Sequence, residues 1–463
     1  MATSSNALFP LPLTTFERYM LADDRPGYPM TFVVQARLSG EMQRPALEAA
    51  LEEVFARHPL LSALVDRSAR PGPCWFLEGQ NGPRVDWGER HTPVGCPDGE
   101  RIDLTSEPGL RAWIRRGGGS TELTFQAHHS CVDGLGMLQF FGELLGSYAR
   151  RVEPTGRYPA LPPLEPERLR TRGLYTVELP TPASRRRAMW GIAREAAKWL
   201  GRSPAPLYPP NSRSRENDAS PAFPGFHFHT FGEEQTRQLR TWARRHQATL
   251  NDLLLCEVFR TLHGWNRQFH PRGRDRWLRI NMPMSLRERR HDRMPIANVM
   301  SHAFLTRRSR ECQEAETLLE GIRDETAVVR RWRLGLLFLG GMSYLQWIRG
   351  AMPLAMALMG HRCYATTALT FMGDPGRRLT VRLPREEGKI RAGDVVVERL
   401  IGVPPMRPKT RAVFGAAVYA GRLVVAARGD RHCFSSEATA QLLDACVARL
   451  SQTAAQAHGE GKR

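Results

Sequence analysis

Residues 126–136 read QAHHSCVDGLG: two adjacent histidines, three further residues and then an Asp-Gly pair. Upstream of them, residues 122–127 alternate in polarity as a half-buried β-strand does. Downstream, residues 135–149 (LGMLQFFGELLGSYA) repeat apolar side chains at helical spacing. The motif is therefore predicted to lie on a loop between a strand and a helix, where a rigid frame can expose reactive groups.

The two histidines are predicted to have different roles. Neighbouring residues of a strand point to opposite sides, so His129 shares a side with Phe125 and Ala127, whereas His128 faces the other way. Histidine is suited to general-base catalysis because its unperturbed pKa is about 6.5. Asp133 would either orient a histidine or hold the loop. The alternative to a catalytic site is a pair of core histidines whose hydrogen bonds are made within the protein.

The elements around the motif predict two lobes. Residues 110–114 and 122–127 flank the stretch RGGGS as the strands of a β-hairpin, with glycines available for positive φ. We predict an N-terminal lobe at 1–175, a linker at 176–225 and a C-terminal lobe at 226–463, in line with the usual domain size of roughly 100 to 200 residues.

The predicted linker is rich in Pro, Arg and Ser and contains a basic amphipathic helix at residues 183–202. This helix is interpreted either as a contact for a membrane or a carrier protein, or as a linker helix packed on a lobe, and the second interpretation is favoured. Residues 334–360 are the most apolar part of the chain, but Arg349 and Pro353 interrupt them. Because about 20 apolar residues are needed to cross a bilayer, buried or interfacial helices are expected here.

The composition is that of a globular protein with a basic surface. Hydrophobic residues make up 41% and charged residues 24% of the chain, and the net charge is +19. Only four lysines accompany 62 arginines, which are scattered along the chain and form no nucleic-acid-binding motif. We therefore expect no nucleic-acid partner, although the charge favours anionic partners such as the phosphates of coenzyme A, an acidic carrier or lipid headgroups.

Other kinds of site lack a complete pattern. The eight cysteines are at least thirteen residues apart, which excludes a CxxC zinc or redox pair and favours reduced cytoplasmic thiols. No GxSxG, P-loop or GxGxxG sequence occurs. His227 and His229 share a strand face, but no third ligand is evident, so no metal site is predicted. The first residues show no secretory signal pattern, so a cytoplasmic location is expected.

The string HHSCVDG resembles the HHxxxDG motif of the CoA-dependent acyltransferase superfamily. This superfamily includes chloramphenicol acetyltransferase, the condensation domains of nonribosomal peptide synthetases and the wax ester synthase/diacylglycerol acyltransferases. The resemblance covers nearly the whole chain and includes the stretches LTTFERYML, PMTFVVQARLSG, DLTSEPGLRAWI, TLNDLLLCEVF, INMPMSLR and VYAGRLVVAARGDRHCFS. The pairs Pro29-Met30 and Asn251-Asp252 favour the wax ester synthase branch.

The resemblance implies an α/β fold of two chloramphenicol acetyltransferase-like lobes, each a mixed β-sheet with flanking helices, and an active-site channel between them. It implies that His129 is the general base and that His128 is structural. Asp133 would be a salt-bridged scaffold residue with Arg287 as its partner. Gly134 would let the chain turn from the loop into the helix.

The chain also departs from the family pattern. A DFGWG motif is missing, and the SNVGP-like stretch of several branches is replaced by ATTALTFMGD at residues 365–374. The residue that would stabilise the oxyanion is therefore unassigned. Asn298, Thr367 and Thr370 are candidates for a channel or oxyanion role, and a structural role in its loop is the stronger alternative for each.

The function implied is transfer of an acyl group from a thioester donor to a hydroxyl or amine acceptor, without an acyl-enzyme. Acyl-CoA is the favoured co-substrate, acyl-phosphopantetheine on a separate carrier protein is the other, and no tightly bound cofactor is expected. The acceptor would be a small molecule or a lipid. The alternatives are a free-standing condensation enzyme and a non-catalytic carrier-binding protein. We expect a monomer, either free in the cytoplasm or in peripheral contact with a membrane.

Overall fold

A computed structural model describes residues 8–78, 82–96, 98–175, 201–210, 223–271, 275–348 and 362–460 of the chain. The strands are β1 (Leu11–Pro12), β2 (Thr31–Ser39), β3 (Leu64–Asp66), β4 (Cys74–Phe76), β5 (Arg84–Glu89), β6 (Leu110–Arg116), β7 (Ser120–His128), β8 (His227–Thr230), β9 (Trp277–Ser285), β10 (Met300–Arg308), β11 (Thr367–Phe371), β12 (Arg385–Glu386), β13 (Lys389–Ala392), β14 (Val395–Val403), β15 (Ala412–Tyr419) and β16 (Arg422–Gly429). The α-helices are α1 (Thr15–Asp23), α2 (Arg44–Arg57), α3 (Gly134–Val152), α4 (Glu233–Arg245), α5 (Leu250–Phe269), α6 (Ala315–Arg331), α7 (Gly335–Trp347) and α8 (Ser436–Glu460).

The described strands form two large sheets, and their arrangement confirms the predicted two-lobed α/β fold. The order in the first sheet is β12-β13-β14-β2-β7-β6-β5, and in the second it is β10-β9-β11-β15-β16-β8. Both sheets are mixed, because β5 pairs with β6 and β11 pairs with β9 and β15 in parallel. A third sheet is small and has the order β1-β4-β3.

The first sheet includes strands from the C-terminal part of the chain, which the sequence did not predict. Strands β12, β13 and β14 come from the C-terminal part of the chain, yet they extend the first sheet beside β2. Val397 of β14 pairs with Leu38 of β2. The lobe limits drawn at residues 175 and 226 stay a prediction, but this part of the first sheet comes from beyond residue 226.

Helices cover one face of each sheet and bury an apolar core there. In the N-terminal lobe, α2 and α3 pack together, and Phe140 of α3 lies with its ring centroid 5.8 Å from that of Phe55 and 5.4 Å from that of Phe125 on β7. In the C-terminal lobe, α5 and α8 pack on the second sheet, where Leu262 and Leu442 are fully buried.

The two unusual segments of the sequence are described only in part. Of the apolar segment 334–360, α7 lies within the described residues and packs against α1 and β10, whereas residues 349–360 lie outside them. The predicted basic helix at 183–202 also lies outside them, apart from its last two residues. None of the described helices is long and apolar enough to cross a membrane.

Candidate active site

The strand geometry of β7 continues through both histidines of the motif. The backbone N–H of His128 donates to the Gly109 carbonyl on one side, and that of His129 donates to the Met30 carbonyl on the other, each at 2.8 Å. Successive residues therefore hydrogen-bond in opposite directions, as on a regular strand. The two rings have separate surroundings, as the alternation of the sequence predicted.

The ring of His129 is held in one tautomer. Its Nδ1 lies 3.2 Å from the carbonyl oxygen of Val132. A carbonyl oxygen only accepts hydrogen bonds, so Nδ1 carries the proton of the neutral ring and Nε2 carries the lone pair. The ring packs against Phe32 with a centroid distance of 4.5 Å. This geometry makes Nε2 the basic atom of His129.

Burial decides the charge of His129. The residue is 7% exposed, and loss of solvation lowers its pKa to about 4, with the charge of Asp133 acting in the opposite direction. The imidazole is therefore neutral near pH 7. A neutral imidazole with a free lone pair is the form that a general base requires.

His128 lies in a closed polar environment. Its Nδ1 accepts the Ser130 N–H at 3.0 Å, so the ring proton is on Nε2, which faces Asp24 Oδ1 at 3.8 Å. Asp24 is itself held by the Arg101 guanidinium at 2.6 Å. The His128 side chain is fully buried by these contacts. Its position is that of a support for the motif.

Asp133 anchors the loop and is engaged away from the His129 ring. Oδ1 accepts the Gly136 N–H at 2.8 Å, which caps α3. Oδ2 accepts from Arg287 Nη1 at 2.6 Å and from the Val299 N–H at 2.8 Å. Burial would raise the pKa of Asp133, but Arg287 and the backbone donors lower it below its ordinary value. The structure thus brings Asp133 and Arg287 together as predicted, across the two lobes.

Gly134 differs from its sequence-based interpretation. Its φ lies outside the left-handed region, so the turn into α3 does not require glycine there. A Cβ at Gly134 would have no atom within 4 Å and would point into open space, whereas one at Gly136 would lie 2.6 Å from Val132 Cγ2. The missing side chain of Gly134 leaves room beside His129, and Gly136 is the glycine that packing requires.

An open cleft between the lobes contains the motif. Its empty space is about 780 Å³, and it is partly open to solvent. Residues of both lobes line it, including Phe32, His129, Gly134, Arg287, Thr370 and Arg378. This interlobe cleft is therefore the candidate active site, with the buried His129 in its wall and Arg378 as an exposed cation.

The three oxyanion candidates have different hydrogen bonds. The Asn298 side chain donates to the His129 carbonyl and accepts from the Met300 N–H, so it holds the backbone of the motif. The Thr367 hydroxyl donates to the Ala412 carbonyl at 2.7 Å. The Thr370 hydroxyl is buried and has no partner among the described residues, and Thr370 lines the interlobe cleft. Of the three, only Thr370 offers a free donor to a ligand.

His302 is a residue that the sequence did not single out. It follows Met300 on the same face of β10, and Met300 lines the interlobe cleft. Its ring packs against Phe16 and Phe338, both with centroid distances of 5.3 Å, and burial lowers its pKa to about 3. Alternation along β10 was the only sequence signal that could have found it.

His227 and His229 have separate contacts. His227 Nε2 lies 2.9 Å from the Ser436 hydroxyl, and the His229 ring packs on Phe231. Within the described part of the chain, no three side chains of His, Cys, Asp or Glu are grouped as metal ligands.

Solved structures of similar shape identify the fold. Polyketide synthase associated protein 5 from Mycobacterium tuberculosis matches with a TM-score of 0.60 at 17% identity, covering 96% of this chain and 98% of its own. The TRI3 trichothecene 15-O-acetyltransferase from Fusarium sporotrichioides matches with 0.63 at 11% identity, covering 96% and 94%. The chain has the fold of the CoA-dependent acyltransferase superfamily. The starter condensation domain of rhizomide synthetase in complex with C8-CoA shares this acyltransferase fold, with 0.61 at 14% identity and coverage of 96% and 95%.

Comparison by sequence finds no family model that matches the chain. An uncharacterised protein of Mycobacterium tuberculosis is 25% identical over 385 residues, which is 78% of this chain and 83% of that protein. The comparisons with solved structures therefore establish the fold of the chain.

Proposed function

We propose that the protein transfers an acyl group from a thioester donor to a hydroxyl or amine acceptor. The observation that carries this proposal is the ring of His129, which is neutral, fixed by Val132 and bears its lone pair on Nε2 at the wall of the interlobe cleft. The shared fold supports the proposal, because it includes an acetyltransferase and a domain bound to C8-CoA.

The proposed reaction needs one base and no acyl-enzyme. Nε2 of His129 accepts the proton of the acceptor as its oxygen or nitrogen forms a bond to the thioester carbonyl carbon. The tetrahedral intermediate then collapses, the carbon–sulfur bond breaks, and the thiolate leaves with the proton that His129 returns. Asp133 stabilises the transient imidazolium by its charge, without a hydrogen bond to the ring.

We assign the oxyanion contact to Thr370. A buried hydroxyl without a protein partner is unfavourable in the free protein. A ligand oxygen that accepts a hydrogen bond from it removes this cost. Thr370 and His129 line the same interlobe cleft from different lobes. This donor would stabilise the negative charge that develops on the carbonyl oxygen when the substrate is bound between the two lobes.

Acyl-CoA is the favoured donor, and the exposed Arg378 supports this choice. Arg378 lines the cleft, and its positive charge suits the phosphates of coenzyme A. A carrier-bound phosphopantetheine also has a phosphate, so a free-standing condensation enzyme is the second candidate function. A non-catalytic carrier-binding protein is the third, and the free lone pair of His129 argues against it.

The proposal is tested by thiol release from a panel of acyl-CoAs with alcohol and amine acceptors. Replacing His129 with Gln should lower kcat/KM by roughly 10²- to 10⁴-fold, which is the usual contribution of a general base. His227→Gln is the matched control, because His227 contacts Ser436 on the C-terminal lobe and should leave the rate unchanged. Equal rates for the native chain and His129→Gln would contradict the assignment.

The donor class is tested in the same assay. If no acyl-CoA reacts but an acylated carrier protein does, the condensation enzyme replaces the acyl-CoA transferase as the proposed function.

We also propose that the protein is cytoplasmic and monomeric. Light scattering on the purified chain tests the monomer directly, with a mass of 52.3 kDa expected.

A further inference from the structure

Three buried polar atoms on one face of the second sheet have no hydrogen-bond partner among the described residues. They are Thr370 Oγ1 on β11, Asn281 Oδ1 on β9 and His302 Nδ1 on β10. A buried polar atom without a partner is costly, and folded proteins contain few of them. The oxyanion role proposed for Thr370 explains the first atom, and the other two remain to be explained.

The strand register makes Asn281 and His302 neighbours on that face. Across β9 and β10, Asn281 pairs with Phe304, and the next pair on the same face is Pro283 with His302. Diagonal neighbours of this kind lie about 7 Å apart. Met282, between Asn281 and Pro283 in the sequence, is buried in the core on the helix-covered face. Asn281 and His302, which we call the polar pair, therefore point away from the helices and towards the other lobe.

The polar pair lies next to the interlobe cleft. Ala368 on β11 pairs with Asn281, so Thr370, two residues further along this parallel strand, lies beside Pro283. Pro283 and Thr370 both line the cleft. His302 is the next residue in this row, about 10 Å from Thr370 at the usual spacing of strands. A ligand that occupies the cleft at Thr370 can therefore extend to the polar pair.

The surroundings of the polar pair are aromatic and offer no counter-charge. The centroid of the His302 ring lies 5.3 Å from that of Phe338 and 6.2 Å from that of Phe304. Burial lowers the pKa of His302 to about 3, so its ring is neutral near pH 7. The nearby Arg407 is already bound to both carboxylate oxygens of Asp23. The polar pair therefore suits an uncharged ligand group.

We propose that Asn281 and His302 bind a second, uncharged polar group of the acceptor, a hydroxyl or an amide, while its reacting group lies at His129. The Asn281 oxygen only accepts hydrogen bonds, so this second group has to be a donor. A neutral histidine nitrogen accepts or donates according to its tautomer, and hydroxyls and amides can do both. The aromatic rings suit an apolar chain between the two polar groups of the acceptor. This inference rests on the proposed function, because it places the reacting group at His129.

The position of the polar pair favours the acceptor over the thioester donor. The donor phosphates are proposed to lie at Arg378, and a Cβ on Gly373, just past the end of β11, would lie 3.2 Å from Arg378 Nη2. Asn281 instead pairs with Ala368, near the start of β11. Ala368 packs with Met406, which lines a second opening between the lobes with an empty space of about 460 Å³. The polar pair is thus displaced from Arg378 along β11, in the direction of this second opening.

The test compares α,ω-diols, from 1,4-butanediol to 1,12-dodecanediol, with the corresponding 1-alkanols as acceptors for one acyl-CoA. At a chain length that spans from His129 to the polar pair, kcat/KM for the diol should exceed that for the alkanol at least about tenfold, since the alkanol leaves the polar pair without a partner. Asn281→Leu should lower kcat/KM for this diol at least about tenfold and should not lower it for the alkanol. His302→Phe should act in the same direction. KM for the acyl-CoA should stay unchanged in both variants.

Thr367→Val is the matched control on the same sheet. Its hydroxyl already donates to the Ala412 carbonyl, so the variant should keep the preference for the diol while its melting temperature falls. Asn281→Leu breaks no hydrogen bond of the described structure, so its melting temperature should be equal to or above that of the native chain. A lower melting temperature for Asn281→Leu, together with equal losses for diol and alkanol, would make Asn281 a structural residue and overturn the proposal.

The other outcomes are equally decisive. The proposal is overturned if the native chain prefers no diol at any length, or if Asn281→Leu keeps the preference. A raised KM for acyl-CoA with an unchanged preference would place the pantetheine arm of the donor at the polar pair and would also overturn it. If the native chain transfers no acyl group at all, the proposed function fails, and calorimetric binding of the same diols and alkanols tests the site separately. Tighter binding of one diol that Asn281→Leu loses would then support the site, and equal binding would exclude it.

Discussion

The catalytic assignment of His129 depends on one carbonyl oxygen and on burial. Val132 fixes the proton on Nδ1, and the surrounding protein disfavours the charged ring. His128, the adjacent residue, has the opposite tautomer because its Nδ1 accepts the Ser130 N–H. Two identical side chains in sequence therefore differ in which ring nitrogen can accept a proton.

The lowered pKa of His129 gives a specific pH profile. The active form is the neutral ring, so activity is lost only when pH falls towards a pKa of about 4. We expect kcat/KM with an acyl-CoA to be nearly constant between about pH 5.5 and 8. A histidine with an ordinary pKa would instead lose half of its activity near pH 6.5. A profile with a midpoint near 6.5 would show that the free enzyme solvates His129 better than this structure does.

Thr367 and Thr370 provide a matched pair on β11. Thr370→Val removes a hydroxyl that has no protein partner in the described structure, so we expect unchanged stability and a kcat lowered by about 10- to 100-fold. Thr367→Val removes the hydroxyl that donates to the Ala412 carbonyl, so it should lower the free energy of unfolding by about 1 kcal/mol. Thermal melts and steady-state kinetics on both variants separate the two effects. A fully active Thr370→Val would remove Thr370 from the oxyanion site.

The two glycines at the start of α3 have different surroundings. Asp133 caps the helix and forms an ion pair with Arg287, so the first turn of α3 is tied to the C-terminal lobe. Gly136 allows α3 to approach Val132 closely. Gly134 has no such contact and faces the open interlobe cleft.

This difference predicts opposite effects of two alanine substitutions. Gly134→Ala should keep or slightly raise stability, by up to about 1 kcal/mol, because alanine favours helix and meets no atom. Its methyl group should raise KM for the substrate that passes His129. Gly136→Ala should lower stability by about 1 to 3 kcal/mol through overpacking against Val132. Equal melting temperatures for the two variants would contradict this account.

At the scale of the whole molecule, the lobes are joined by shared strands and by ion pairs. Strand β14 completes the first sheet beside β2, and it also runs past β15 so closely that a Cβ on Gly415 would lie 1.8 Å from the Gly402 oxygen. Glu100 holds Arg428 and Arg431 across the lobes at 2.6 and 2.9 Å. These contacts hold the two lobes against each other.

The shared sheet predicts that the N-terminal lobe is unstable alone. A chain ending at residue 225 lacks β14, so β2, which contains buried residues such as Val33, becomes an unprotected edge strand. We expect this fragment to aggregate when expressed alone and to become soluble when residues 226–463 are co-expressed. Co-purification of the two fragments measures the effect. A soluble, monomeric N-terminal fragment would show that β14 is dispensable.

The local features of the fold and of the motif could be predicted from the residues alone. Alternation along β7 separated His128 from His129, and the helix after Asp133 was evident from its apolar spacing. The resemblance to the acyltransferase superfamily supplied the two-lobed fold and the pairing of Asp133 with Arg287. These features depend on short-range patterns or on a long motif, and both are present in a single chain.

Only the tertiary structure decided which groups meet in the interlobe cleft. The free hydroxyl of Thr370, the position of His302 and the empty space at Gly134 depend on neighbours that are more than 100 residues away in the chain. The pairing of β14 with β2, which adds β12, β13 and β14 to the first sheet, is equally long-range. Hydrophobic periodicity gives the face of a strand but not its partner, because pairing is set by the packing of whole sheets.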